Sequence, residues 1–302
     1  MMEPIIVIVG FLGAGKTTLL KKLLREFMDK KSDPCVILND YENAFMDSQQ
    51  LLEFLTPKQV NALSGSCICC SGVAELRNQV NSIKKRERGV TLIEANGTSD
   101  ACALLGFLGV GLKEHFLPPV QISVVDVRSW QERGFDNELE ANQIQVSSLI
   151  ILNHHESVGH ERIEKVKSDI LYLNPSAQVI LWNDLQVEKL LSLKPSENKA
   201  QKMDHLKAHW SSCSVDLPDP ISSQSVKEII KNIPESILRV KGCTRFDDDS
   251  HYTYFERVPS GDVSIRPYHG DLITGPKILV IGPGSDPDKI ERIIQDSAQS
   301  LG

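Results

Sequence analysis

Apolar residues in this chain gather into short unbroken runs, separated by stretches in which they recur at helical spacing. The first run, Ile5-Ile6-Val7-Ile8-Val9, has no polar interruption, as a strand buried on both faces requires. After a glycine-rich turn, Leu19, Leu20, Leu23, Leu24 and Phe27 form one stripe along a helix. Further strands are predicted at residues 35–38, 90–93, 120–127, 149–152 and 179–181. Helical stripes lie between them at Val73, Leu76, Val80 and Ile83, and at Ile163, Val166, Ile170 and Leu173. Strands alternating with helices predict an α/β domain whose mostly parallel sheet is covered on both faces.

The pattern breaks into polar residues near 193–199, and the order of elements then changes. A strand at 211–217 and a helix at 225–232 precede strands at 237–246, 251–258, 263–268 and 277–281, and a last helix at 286–296. This predicts a small α+β domain with helices on one side of an antiparallel sheet. The expected boundaries are a first domain over 1–193, a linker over 194–209 and a C-terminal domain over 210–302.

The turn after the first strand reads Gly10-Phe11-Leu12-Gly13-Ala14-Gly15-Lys16-Thr17-Thr18, which fits GxxxxGK(S/T) between a strand and a helix. Glycines let such a loop curl so that backbone N–H groups point inward at a phosphate, and the helix N-terminus adds positive potential there. Gly10, Gly13, Ala14, Gly15, Lys16, Thr17 and Thr18 are therefore expected to hold a nucleoside triphosphate. Lys16 would steady the outer phosphates and the Thr17 hydroxyl would ligate Mg²⁺. The strand Val90-Thr91-Leu92-Ile93 ends in Glu94, placed to act on the attacking water or the metal's surroundings. Lys16 and Glu94 are the expected catalytic residues. The polar segment Asn39–Asp47 reads as a switch loop, with Asp40 a further Mg²⁺ ligand. After the strand at 149–152 comes Asn153-His154-His155-Glu156, where many GTPases carry Asn-Lys-x-Asp to read guanine. Asn153 and Glu156 are the expected base contacts, and the altered motif leaves GTP against ATP open.

A second cluster, Gly65-Ser66-Cys67-Ile68-Cys69-Cys70, brings three thiols into four positions. Taken alone, these cysteines read equally as small buried apolar residues or as ligands of one soft cation. Seven cysteines in all, an odd number with three crowded together, do not make a disulfide framework. The net charge of -7 argues against a nucleic-acid partner. No apolar window is long enough to cross a bilayer, and a cytoplasmic protein with no membrane partner is expected.

Together these motifs resemble the CobW-like P-loop GTPases, a group of metallochaperones and metal insertases. Gly10–Thr18 repeats the group's GFLGAGKTT loop letter for letter. Cys67, Cys69 and Cys70 match its Gly-Cys-x-Cys-Cys motif, with Ser66 in place of the glycine. Glu94, Gly97 and Asp100 match its Glu-x-x-Gly-x-x-Asp-Pro segment, with Ala101 in place of the proline. Asn39-Asp40-Tyr41-Glu42 stands where Asn-Glu-Phe-Gly is usual, and Gln143, Arg239-Val240-Lys241-Gly242 and Leu279-Val280-Ile281-Gly282 match further positions. The resemblance implies a slow GTPase using GTP and Mg²⁺. It would carry Zn²⁺, or another divalent transition metal such as Co²⁺, at Cys67, Cys69 and Cys70. It implies delivery to a client metalloprotein, and a homo-oligomer as a further assembly. A nucleotide-gated binding module without turnover and a P-loop small-molecule kinase are the competing readings.

Overall fold

Seven strands, every neighbouring pair parallel, form the first sheet: β1 (Ile5–Val9), β2 (Asp33–Asn39), β3 (Val60–Leu63), β4 (Gly89–Ala95), β5 (Val120–Asp126), β6 (Leu149–Asn153) and β7 (Gln178–Leu181). The computed structural model describes residues 2–39, 51–52, 55–63, 73–196, 212–247, 249–258, 261–268, 275–282 and 285–299. The chain divides into two units, Met1–Ala208 and His209–Gly302.

In the first unit the strand order is β3-β2-β4-β1-β5-β6-β7. Among the described residues its named α-helices are α1 (Lys16–Asp29), α2 (Val73–Ser82), α3 (Ala101–Leu108), α4 (Asn137–Gln145), α5 (His160–Leu173) and α6 (Val187–Leu191). Strand alternation divides the apolar residues between two faces. Ile6, Ile8, Val36, Leu38, Leu92, Ile122 and Val124 share one core with the α1 stripe Leu19, Leu20, Leu23, Leu24 and Phe27. Their neighbours Ile5, Val7, Val9, Ile37 and Ile93 pack instead with Leu76 and Val80 of α2 and Leu104 and Leu108 of α3. Each leucine so buried contributes about 1.5–3 kcal/mol, which is why a one-residue slip of any central strand is excluded.

Four elements of this unit carry no pattern that predicts them. β3 is the four-residue edge strand Val60-Asn61-Ala62-Leu63, too short and mixed to show alternation. α3 is apolar nearly throughout, so it has no stripe. α4 is mostly polar, and it buries Glu140, Asn142 and Gln143 beside Leu139 and Ile144. α6 spans five residues.

The second unit has five antiparallel strands in the order β11-β10-β9-β12-β8. They are β8 (Ser212–Asp216), β9 (Arg239–Arg245), β10 (Tyr252–Arg257), β11 (Val263–Pro267) and β12 (Lys277–Ile281), with α7 (Ser223–Asn232) and α8 (Pro287–Gln299). Val226, Ile229 and Ile230 of α7 and Ile290 and Ile294 of α8 pack on Val240, Phe255, Ile278 and Val280. Gly242 lies opposite Phe255, and a Cβ there would come within 2.1 Å of the Phe255 ring. The glycine leaves room for the tip of that ring over β9.

On the opposite side of the same strands, Glu256 accepts from the Arg239 guanidinium at 2.6 and 2.9 Å and from the Tyr254 hydroxyl at 3.2 Å. Burial works to raise the Glu256 carboxyl, but Arg239, Lys241 and these hydrogen bonds outweigh it and hold its pKa at about 2. A depressed carboxylate stabilises the fold above its unfolded value, and the benefit disappears as pH falls through the folded value. Urea denaturation of the chain is therefore expected to lose about 2–3 kcal/mol between about pH 4.5 and pH 2 from this group. Glu256→Gln should flatten that part of the acid profile while lowering stability at neutral pH; an unchanged acid profile would contradict the assignment.

Candidate functional site

The carboxyl ends of β1, β2, β4, β5 and β6 meet at one edge of the first sheet and bring Gly10, Asn39, Glu94, Asp126 and Asn153 to it. β1 is the strand at which the order reverses, since β2 lies on one side of it and β5 on the other. Open parallel sheets bind ligands at such a switch point.

The loop from β1 to α1 is held there by two close approaches. Gly10 has φ +144°, and a Cβ on it would meet the Val124 carbonyl oxygen at 2.4 Å. Gly15 has φ +107°, and its Cβ would meet Asn153 Nδ2 at 2.4 Å. Asn153 Nδ2 donates to the Ala14 carbonyl at 2.8 Å, so the residue expected to read the base also clamps the loop. Its Oδ1 accepts from the His154 N–H at 2.9 Å.

Lys16 is buried at 4% exposure, and its Nζ donates to the carbonyls of Gly10 at 2.9 Å and Phe11 at 3.2 Å. These bonds aim a cation across the mouth of its own loop. The N-terminus of α1 has Gly15 as its cap, no side-chain hydrogen bond to that cap and no acidic residue in its first turn. Its leading N–H groups and positive dipole end thus suit an anion. The start of α7 differs, because Ser222 accepts there from the Ser225 N–H.

Thr17 Oγ1 donates to Glu94 Oε1 at 2.7 Å, although the two residues are far apart in sequence. A hydroxyl and a carboxylate converging beside a helix N-terminus make an oxygen donor set suited to a hard divalent cation. The segment after Glu94 is positioned by α4. Gln143 Nε2 donates to the Gly97 and Ser99 carbonyls at 3.0 and 3.3 Å, and Asn142 Oδ1 accepts from the Ala101 N–H at 3.1 Å. Gly97 in turn lies against Leu12 of the loop.

Glu156 stands farther out. Its side chain is 63% exposed, 3.4 Å from His155 Nε2, and it accepts from Asn183 Nδ2 at 3.3 Å. Its own backbone N–H first, and the two histidines and Asn183 after it, hold its carboxyl below the usual range. Lys16, Thr17, Glu94 and Asn153 are thus drawn together at the loop, with Glu156 at the rim. Asp40, Cys67, Cys69 and Cys70 lie outside the described residues, as does the expected switch segment beyond Asn39.

Two groups at the site carry no motif. Asp126, at the end of β5, is chelated by Arg128 through contacts of 3.0 and 2.8 Å and lies 4.0 Å from His154 Nε2. A carboxylate closing an apolar strand, the same signal that marks Glu94, marks it too. Arg133 lies 4.2 Å over the Phe11 ring and is fixed by Glu140 at 3.2 Å and Ser129 at 2.7 Å. No spacing rule foretells that contact. Burial pushes the Glu140 carboxyl up, against the pull of Arg133.

Among the described residues no group of three His, Cys, Asp or Glu side chains is arranged to hold a metal. Burial, reinforced by Asp100, pushes the Cys102 thiol up to about 11, and burial alone pushes Cys243 to about 12. Both stay protonated at neutral pH and are poor ligands. No helix among the described residues is long and apolar enough to cross a membrane.

A parallel sheet whose first strand opens through this glycine loop into an uncapped helix, with a threonine and a strand-end carboxylate beside it, defines a P-loop nucleotide-binding protein. The family model described as "CobW/HypB/UreG, nucleotide-binding domain" matches residues 4–181. The chain belongs to that family. It is 28% identical over 215 residues to a zinc-regulated GTPase metalloprotein activator 1 of Dictyostelium discoideum, covering 59% of this chain and 45% of the relative. It is 26% identical over 284 residues to the zinc chaperone YjiA of Escherichia coli strain K12, covering 85% of this chain and 87% of the relative. The chain therefore spans less than half of the first of these relatives. A crystal structure of Zn(II)-bound YjiA GTPase from E. coli aligns over 98% of this chain and 99% of that one, at 19% identity and a TM-score of 0.46.

The two close approaches of the loop make a direct prediction. Gly15→Ala should weaken binding of a fluorescent guanine nucleotide by at least about tenfold, because the new methyl group meets Asn153 in a backbone region it disfavours. Asn153→Ala, which removes the clamp without adding bulk, should cost less; equal affinity for parent and Gly15→Ala would refute the packing.

Proposed function

We propose that the chain is a slow GTP hydrolase that carries zinc, or a similar divalent transition metal, at Cys67, Cys69 and Cys70 and passes it to a client metalloprotein. The observation that carries the nucleotide half of this reading is the Thr17–Glu94 hydrogen bond beside the Lys16 loop. The names of the relatives support the metal half, since one is called a zinc chaperone and the other a zinc-regulated GTPase metalloprotein activator.

In this reading, the N–H groups of Gly13 through Thr18 bind the phosphate oxygens. Lys16 moves its ammonium from loop carbonyls to the outer phosphates. Thr17, Glu94 and Asp40 would hold Mg²⁺, which would supply positive charge to offset that of the phosphates. Glu94 orients the attacking water and accepts its proton at the carboxylate, a role worth about 10²–10⁴-fold in rate for a positioned base. Asn153 keeps the loop closed, and Glu156 accepts hydrogen bonds from the guanine N1 and exocyclic amine. The γ-phosphate orders the segment that begins at Asn39, and so links nucleotide state to the cysteine loop. Such coupling requires that metal affinity differ between the two nucleotide states.

Single-turnover hydrolysis of GTP tests the catalytic assignment. Glu94→Gln is expected to slow the step by at least about a hundredfold while nucleotide is retained. Indistinguishable background rates in parent and variant would leave a nucleotide-gated module without turnover as the better reading, and equal rates above background would remove Glu94 from the chemistry. Equilibrium dialysis with Zn²⁺ tests the cargo assignment. Affinity should differ between the complexes with a non-hydrolysable GTP analogue and with GDP, and should vanish when Cys67, Cys69 and Cys70 are all replaced by serine. Equal affinity in both states would remove the delivery step.

A further inference from the structure

The sheet of the second unit is wider than its helical cover. α7 and α8 pack over Val240, Phe255, Ile278 and Val280, but β11 lies at the sheet's edge and all five of its residues are exposed. Val263 pairs with Arg257 and Ile265 with Phe255, so both point to the face that carries the helices. They remain 48% and 40% exposed. Between them and α7 runs a groove of about 920 Å³, floored by Ile230, Ile233, Ile237, Val263 and Ile265.

The charge of this groove is opposite to that of the whole molecule, which is -7. Lys227, Lys231 and Arg257 line it with the carboxylate of Glu235, and Lys231 Nζ also lies 4.0 Å from the Glu228 carboxylate. Lys227 and Lys231 are exposed and one helical turn apart on α7. Arg257 donates to the carbonyls of Ile230, Ile233, Pro234 and Ile237 at 2.8–3.1 Å. Among the described residues no carboxylate lies within ion-pair distance of it, and Glu235 acts on it from farther away. Its fixed charge therefore adds to the positive potential of the groove.

We infer that this groove and the outer edge of β11 bind an extended, acidic segment of a partner protein, which joins the sheet as a further strand beside β11. Strand addition satisfies the edge backbone groups. It also places every second side chain of the incoming segment on the face of Val263 and Ile265. Those positions alternate Val, Ile or Leu, which pack on Val263 and Ile265, with Glu or Asp, whose carboxylates lie toward Lys227 and Lys231 on the same face. Pro267, which lacks an N–H, ends the usable edge after Arg266. This proposal does not depend on the nucleotide reading.

The test is fluorescence anisotropy of the full chain with a short labelled peptide whose every second residue is in turn Val or Ile and Glu or Asp, with Thr at the positions between. A second peptide has Lys in place of each acidic residue. The acidic peptide is expected to bind at least about tenfold more tightly than the basic one, and to lose most of that preference at high salt. Lys227→Glu with Lys231→Glu, both solvent-facing, should reduce affinity for the acidic peptide at least about tenfold. Val263→Ser should weaken both peptides. Parallel titration with GDP should be unchanged in all variants, so a failure here is distinguishable from failure of the nucleotide site. Equal binding of the two peptides, or insensitivity to the lysine changes, overturns the proposal. So does self-association of the parent that the same changes abolish, which would assign the groove to a second copy of the chain.

Discussion

The approach of one glycine loop to two neighbouring strands governs the whole edge of the first sheet. Gly10 presses on the Val124 carbonyl of β5, and Gly15 presses on the Asn153 side chain at the end of β6. Neither position has room for a Cβ. The hydrogen bond from Asn153 to Ala14 then fixes the path of the loop. With the loop in that path, α1 starts without a side-chain cap and Lys16 Nζ reaches the carbonyls of Gly10 and Phe11. Thr17 meets Glu94 for the same reason. Each of these contacts follows from the placement of the backbone.

The surroundings reinforce that placement through buried polar bonds. α4 contributes little apolar surface. Instead its Gln143 and Asn142 hold the chain just after Glu94, and its Glu140 holds Arg133 against Phe11 of the loop. Buried polar groups are costly unless satisfied, and the Gln143 Nε2, Asn142 Oδ1 and Glu140 carboxylate are satisfied by the segments that must stay in register with the loop. α4 thus explains why a helix with a weak apolar stripe lies under the sheet edge.

Much of this was legible in the chain itself. The P-loop could be read because its chemistry is local: glycines, a lysine and a threonine at fixed spacing between an apolar run and a helical stripe. Glu94 could be read because a carboxylate ends an otherwise apolar strand. The alternation of strands and helices pointed to the parallel sheet, and the later cluster of strands to an antiparallel one. β3, α3 and α4 left no periodic trace, because they are respectively too short, uniformly apolar and largely polar. The clamp by Asn153 and the stacking of Arg133 on Phe11 join residues distant in sequence. Only the fold reveals such contacts, and no spacing within the chain encodes them. The exposed edge at β11 is the converse case, since its alternation is readable but its lack of a helical cover is not.

The central claim is that the β1–α1 loop grips a nucleotide's phosphates through Lys16. Isothermal titration of GDP into the parent chain and into Lys16→Ala addresses it most directly, with thermal melting of both as a check on folding. The account predicts a loss of affinity of at least about a hundredfold in the variant, with the melting transition retained, because a buried charge-assisted contact to phosphate is removed. Undiminished GDP affinity in a folded variant would contradict it.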